Sequence, residues 1–348
     1  MLNVGLDFGF FENRLSGTIE VYNKRTKDLI ADYEVSTIRY PFSSLTANVG
    51  EIRNNGVEFT INAIPVMTND FRWETSINIS RNKNEVVSLS NDMFSVDYFD
   101  RGNLNAAGFT GANVQRTMEG YPIGQFHTWE WAGVKDGVSN FYVYGEATLT
   151  ELYKDKGGWE GKVTLQKNGR YIDNATGEYV TTKSPMYDDK RFVGSAQPKL
   201  TGGWNNTFTY KNWTLSLFLQ GVFGNKIMSY SRGFLSNVGN VTIGKNVLAS
   251  IAEDSPITDN NAHAPSDRYL ESGNYVRLAS LNIGYNFGRI NDYIKGVRLY
   301  ATCNNLFTIT GYKGLDPEVN LGGLEPGIDN RQTYPRTRTF MFGVNVNF

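Results

Sequence analysis

Residues 338–348 alternate without a break, with Phe340, Phe342, Val344, Val346 and Phe348 on one side and Thr339, Met341, Gly343, Asn345 and Asn347 on the other. A period of two puts successive side chains on opposite faces of an extended backbone, so this segment is a strand with one apolar face. The same pattern runs through Leu2, Val4, Leu6, Phe8 and Phe10, then Leu15, Gly17, Ile19 and Val21, then Val57, Phe59, Ile61 and Ala63. Residues 73–79, 200–210, 213–219, 279–287 and 297–303 repeat it. In the fourth of these, Ala279, Leu281, Ile283, Tyr285 and Phe287 are expected to share the apolar side. With the final strand that makes nine, most of them about 8–14 residues long, against the roughly 9–11 a tilted membrane strand needs.

The connections alternate in length. Short turns fall near residues 11–13, 65–70, 211–212 and 288–296, and long stretches at 31–50, 89–199, 224–273 and 306–336. Outer-membrane barrels have this habit, with tight periplasmic turns and long extracellular loops. Aromatic residues on the apolar face gather beside the short turns: Phe8, Phe10, Trp73, Phe208, Tyr210, Trp213, Tyr285, Phe287 and Phe348. Rings of this kind sit at the headgroup level, so these residues are the expected membrane girdle. The opposite face carries Asn78, Asn282, Arg298, Tyr300, Thr302 and Asn304, which are expected to face a hydrated lumen or a plug within it.

Mean hydropathy is -0.39, and no stretch approaches the roughly 20 apolar residues of a spanning helix. A barrel strand shows lipid only at alternate positions, so low hydropathy is compatible with a membrane wall. A net charge of -1 supplies no basic field for nucleic acid. The single cysteine, Cys303, excludes an internal disulfide, and with only His127 and His263 beside it no His/Cys metal site and no cofactor are expected. The first residues lack the charged region and continuous apolar core of a signal peptide, which for an exported protein implies a cleaved leader or, the reading preferred here, a truncated reading frame. Nine is odd, whereas bacterial single-chain barrels have an even number of strands and no free edge in lipid. A hairpin from residues 123–131 and 141–144 would leave the parity unchanged. The expected fold is all-β: an antiparallel transmembrane β-barrel over residues 1–348, partial, with about 9–11 strands of a larger barrel.

Several segments resemble the C-terminal barrel of SusC/RagA-type TonB-linked outer-membrane transporters. They are residues 3–10 (NVGLDFGF), 22–29 (YNKRTKDL), 50–58 (GEIRNNGVE), 119–124 (EGYPIG), 304–307 (NNLF), 314–318 (GLDPE) and 334–336 (YPR). They occur in the family's order across nearly the whole chain, while residues 137–190 and 229–267 match poorly, as external loops would. The resemblance implies the cell outer membrane and a barrel of about 22 strands with a plugged lumen. It implies import of glycan or peptide fragments, a SusD-like surface lipoprotein as lid, and a TonB complex engaged through an N-terminal part. On this reading the plug and the first barrel strands are absent from the chain. Outer-membrane lipids are the remaining partner.

No nucleophile–base arrangement is legible, and no enzyme is expected. His127, among Phe126, Trp129 and Trp131, reads as a packed loop histidine. Asp188 with Asp189, and Asp173 with Glu178, lack the spacing of a calcium loop and read as solvated loop carboxylates. Gly157-Gly158 and Gly322-Gly323 read as turns. Trp129, Trp131, Tyr142, Tyr144 and Trp159 are the candidate substrate contacts, because aromatic faces can stack on sugars. A self-packed loop core explains them equally well. Two rivals stay open: a non-transporting structural or adhesive barrel, and a soluble carbohydrate-binding sandwich.

Overall fold

The computed structural model describes residues 1–34, 38, 41, 43–90, 95–104, 112–236, 241, 244–250, 264–319, 322–330 and 334–348. Nine strands form one antiparallel sheet in which every strand pairs with its neighbour in the sequence. They are β1 (Leu2–Phe10), β2 (Leu15–Glu34), β3 (Ser44–Met67), β4 (Phe71–Ser88), β5 (Leu200–Tyr210), β6 (Trp213–Phe223), β7 (Tyr275–Gly288), β8 (Gly296–Thr310) and β9 (Thr339–Asn347). Among the described residues, β1 and β9 each pair on one side only, so the sheet is open at both edges. Short and long connections alternate along it as expected.

Register carries one apolar face through the whole sheet. Leu6 lies opposite Ile19, Ile19 opposite Phe59 and Phe59 opposite Ile79. Further along, Trp73, Phe208, Leu215, Ile283, Ala301 and Phe342 stand in one row across β4 to β9. Among the described residues no second layer covers this face: Leu6 is 63% exposed, Val344 60% and Phe342 84%. Apolar area on this scale, left open by a fold that buries aromatic and aliphatic groups elsewhere, marks a surface whose solvent is lipid. A sandwich would cover it with a second sheet, so the soluble reading is set aside.

The other face is polar, and glycine lets its rings lie flat. The Tyr22 ring occupies the space a Cβ would need at Gly56, and the Tyr300 ring does the same at Gly343. Any side chain at either position would lift the ring off the sheet.

Three expectations need correction. Residues 31–50 are not mainly a loop: β2 and β3 continue past the apolar band and pair as far as Glu34 and Ser44. Leu45, Ala47 and Val49 alternate there with Ser44, Thr46 and Asn48, but the run is short and is set apart from the apolar band by the largely polar residues 51–56, so it does not read as the same strand. Ala279 does not share the face of Leu281; at a bulge in β7, Leu278 takes the place opposite Leu219. The segments at 123–131 and 141–144 add no wall strands. They contribute Gln125–Thr128 and Val138–Tyr142 to two small sheets beyond the rim.

The described parts of the long connections are thus folded. Tyr98–Leu104, Ala112–Met118, Gln125–Thr128 and Arg191–Ser195 make a four-stranded sheet. Its buried Leu104, Val114 and Phe126 pack with Met228, Tyr230 and Tyr269 of the β6–β7 connection. Ile328 of the β8–β9 connection packs against the same core. Three separate connections therefore share one hydrophobic core above the long-loop rim.

Candidate functional site

The inner, polar face and the loops fastened to it form the part of the molecule that can handle a solute. Each of Asn78, Asn282, Arg298, Tyr300, Thr302 and Asn304 falls on this face by register. Five of them gather on β7 and β8. Asn282 Nδ2 donates to Thr302 Oγ1 at 2.6 Å, Asn304 lies opposite Ser280, and Arg298 packs beside Gly284. Asn78 stands apart on β4, opposite Thr60 and Gly203.

Two anchors tie the loops to this face. On β3 and β4, Asn54 Oδ1 accepts hydrogen bonds from Asn82 (3.1 Å) and Asn84 (3.0 Å), and Tyr22 Oη donates to Asn82. Asn84 Oδ1 then accepts the backbone N–H of Ile123 at 2.8 Å. Nearby, the Glu119 carboxylate accepts Leu89 N–H at 2.7 Å. The 50–58 and 119–124 segments are therefore the two halves of one docking joint.

The second anchor is centred on Arg277 of β7, whose side chain is 2% exposed. Its guanidinium donates to Thr308 Oγ1 (2.9 Å), Glu318 (2.5 Å) and Asp316 (2.5 Å). Asp316 also accepts the backbone N–H groups of Glu318 (2.9 Å) and Arg336 (3.0 Å). Burial works to raise the Asp316 carboxyl, but these hydrogen bonds and the guanidinium outweigh it and hold the carboxyl below the usual aspartate range. Arg336 completes the joint with an ion pair to Glu318 at 2.9 Å. Sequence reading did not single out Arg277. The available signal was a charged residue inside an otherwise apolar strand start, Tyr275-Val276-Arg277-Leu278.

Four of the five aromatic candidates come together. Glu130 accepts from Tyr144 Oη and pairs with Arg170, and Arg170 lies over the Tyr142 ring at 3.7 Å. Trp131 has Arg268 over its ring at 4.7 Å, and its backbone N–H donates to Asp267. Trp129 donates to Met186 O and lies 6.4 Å from Phe141. Burial raises the Asp267 carboxyl to about 6 and the Tyr144 hydroxyl to about 12, the latter with help from Glu130. Trp159 is elsewhere, packed on the Val143, Leu149 and Tyr171 cluster. With cations over Tyr142 and Trp131, this group has the geometry of a packed loop core.

The acidic candidates serve the backbone. Asp189 is fully buried rather than solvated, and it accepts N–H groups of Tyr144, Gly145 and Met186 and the Thr148 hydroxyl. A buried carboxylate persists only with such donors, and Asp189 has four. Asp188 accepts Ala147 N–H, and Asp173 accepts Ala175 and Thr176 N–H and the Tyr153 hydroxyl. Among the described residues, no three His, Cys, Asp or Glu side chains cluster as a metal site. His127 is buried against Phe192 (5.2 Å) and Tyr187 (6.3 Å). Burial, with Arg116 and Lys190 nearby, pushes it down to about 4, so it is neutral at pH 7. His263 lies outside the described residues.

On the outer face the girdle residues stand together at the short-turn rim. Trp73 stacks on Phe208 (5.8 Å), Phe208 on Phe71 (6.5 Å), Trp213 against Tyr285 (4.7 Å) and Tyr285 against Phe287 (4.7 Å). Phe8 and Phe10 are 5.8 Å apart, Tyr210 is the register partner of Trp213, and Phe348 is 80% exposed beyond β9. Trp73 Nε1 also donates to Asn206 Oδ1 at 3.0 Å, which satisfies an amide on the apolar face.

Residues 2–148 match the family described as "TonB dependent receptor-like, beta-barrel". Over its whole length the chain is 33% identical to TonB-dependent receptor P3 of Formosa agariphila, covering 34% of that protein. It is 29% identical to TonB-dependent receptor SusC of Bacteroides thetaiotaomicron, covering 99% of this chain and 31% of that one. Among solved structures, the RagAB peptide transporter superposes with a TM-score of 0.75 at 24% identity, over 99% of this chain and 35% of that one. The chain spans about a third of the length of the curated relatives it matches.

Proposed function

From the premise that this chain belongs with the TonB-dependent receptor β-barrels and lies in the outer membrane, we propose that it is the C-terminal portion of a nutrient importer's barrel. The observation that carries this reading is one sheet with three distinct borders. Its outer face is an uncovered apolar belt, its inner face is polar, and folded loops are fastened to the inner face at one rim only. Lipid outside, water inside and a substrate-facing cover at one end are the requirements of a wall around a solute path. Open edges at β1 and β9 support closure by further strands, because unpaired backbone groups are costly in lipid.

In this reading a plug and the remaining strands complete the barrel. Energy comes from a TonB complex acting on the plug, and a SusD-like lipoprotein covers the loops. The cargo is a glycan or peptide fragment: Asn282, Arg298, Tyr300, Thr302 and Asn304 offer it donors and acceptors, and the Trp129–Tyr144 cluster shapes the entrance.

The test is accumulation of labelled oligosaccharides and oligopeptides by cells with and without the receptor, each with and without a protonophore. Receptor-dependent uptake that collapses with the protonophore supports an energised importer. Binding that persists unchanged without energy, and never passes inside, identifies an adhesive barrel instead.

A further inference from the structure

The apolar belt ends, at the long-loop rim, on a basic patch that still points outward. In β4 the alternation Trp73, Thr75, Ile77, Ile79 continues with Arg81 and Lys83 on the same face. Register confirms the direction: Arg81 lies opposite Val57, and Lys83 opposite Asn55. Arg25 and Arg53, opposite each other on β2 and β3, extend the patch. Its carboxylates are Glu51, paired with Arg25 at 3.4 Å, and Glu85, which is shared by Arg53 (2.9 Å) and Lys83 (3.2 Å). With Lys27, 4.0 Å from Glu51, five cations thus face two carboxylates. Among the described residues Arg81 has no ion pair, and it is exposed; Lys83 is 74% exposed.

The height of the patch is informative. Lys83 is ten residues above the girdle residue Trp73, which at about 3.4 Å per residue and a tilt of about 40° is a rise of about 26 Å. The apolar band of such a wall is about 25 Å tall, so Arg81 and Lys83 sit at the outer headgroup level. A groove of about 470 Å³ runs across the same rows: Val4, Val21 and Val57 stand in register with Arg81, and Leu2 in line with Asn23, Asn55 and Lys83. An acyl chain suits the aliphatic part of the groove, and a phosphate suits the two cations at its β4 end.

We propose that this patch binds a phosphorylated lipid of the outer leaflet, with its phosphate between Arg81 and Lys83 and an acyl chain along Val4, Val21 and Val57. The proposal rests on the membrane wall described above, yet it can fail while the wall stands.

The test uses the full-length receptor purified in mild detergent, with native mass spectrometry reading the lipid bound. The probes are bisphosphorylated lipid A and the same lipid A with both phosphates removed. The wild type should bind the phosphorylated form more tightly. Arg81→Gln with Lys83→Gln should weaken that binding about 30-fold, which is about 2 kcal/mol at about 1.4 kcal/mol per decade. The same pair should leave binding of the dephosphorylated form unchanged, and Arg81→Lys with Lys83→Arg should retain most of the phosphorylated binding. Equal wild-type affinity for the two lipids, or undiminished binding by the glutamine pair, would overturn the proposal. Heat-modifiable migration of each variant shows that its barrel has formed.

Discussion

Replacing Arg277 with methionine keeps most of the side-chain bulk and removes the charge that gathers Asp316, Glu318 and Thr308. Arg277 is 2% exposed, Asp316 8% and Glu318 30%. Breaking a buried pair by deleting one partner costs about 3–5 kcal/mol, because the other charge stays behind uncompensated. Glu318 is partly solvated, which places the cost here near about 3 kcal/mol. The cost is local, falling on the docking of residues 316–318 and 336 against β7. It should appear as lost protection of the Glu318 and Arg336 amides, which donate to Asp316. At about 1.36 kcal/mol per decade, hydrogen exchange at these amides should speed up about 100-fold in the intact receptor. Amides in the middle of β7 and β8 should hold their protection. Adding Asp316→Asn and Glu318→Gln should recover much of the loss, since removing all partners of a buried pair is far milder than removing one. Exchange at Glu318 and Arg336 within threefold of wild type would refute the idea that Arg277 fastens this loop.

Further outcomes follow from the same geometry. Leu217→Arg places a charge on the apolar face near mid-wall and should cost about 2–4 kcal/mol of barrel stability, read as reduced heat-modifiable barrel in membranes; normal yield would contradict the facing. Gly343→Val would overlap the Tyr300 ring and should cost about 1–3 kcal/mol by overpacking, checked by the temperature of the gel shift. His127 is held at about 4, below its ordinary 6.5. Its contribution to loop stability is therefore present above pH 6.5 and is lost as pH falls through 4, so the loop should become more protease-sensitive over that window. His127→Phe should flatten that pH dependence. Deleting Phe348 should impair insertion, measured as barrel yield, if the exposed terminal ring serves as an assembly signal.

The wall was legible because its chemistry repeats. Nine runs of alternating apolar residues declared nine strands, and the side each run presents followed directly from parity. What stayed hidden lacks that alternation. The extension of β2 and β3 runs through Lys24, Arg25 and Asn54, a polar stretch held by the backbone ladder and by the Arg25–Glu51 pair. The slip at Ala279 depends on a bulge that shifts parity by one residue, and composition does not signal it. The joints on the inner face unite residues far apart in sequence: Arg277 with Asp316, and Asn84 with Ile123. The segments of Ile123 and Asp316 drew notice through family resemblance, those of Asn84 and Arg277 did not, and the purpose of all four emerged only from contacts. The aromatic cluster shows the same limit, since ring content alone could not tell a stacking surface from a core that Arg170 and Arg268 cover.

The central claim is that lipid touches one side of every wall strand and water the other. Nitroxide labels placed one at a time at residues 215–219 and 281–285 of the reconstituted receptor test it most directly, through their accessibility to oxygen and to a water-soluble nickel chelate. The account predicts a two-residue rhythm: oxygen favoured at Leu215, Leu217, Leu281 and Ile283, and nickel favoured at Ser216, Asn282 and Gly284. A flat profile, or nickel reaching Leu217 and Leu281 as readily as Ser216 and Asn282, would contradict it.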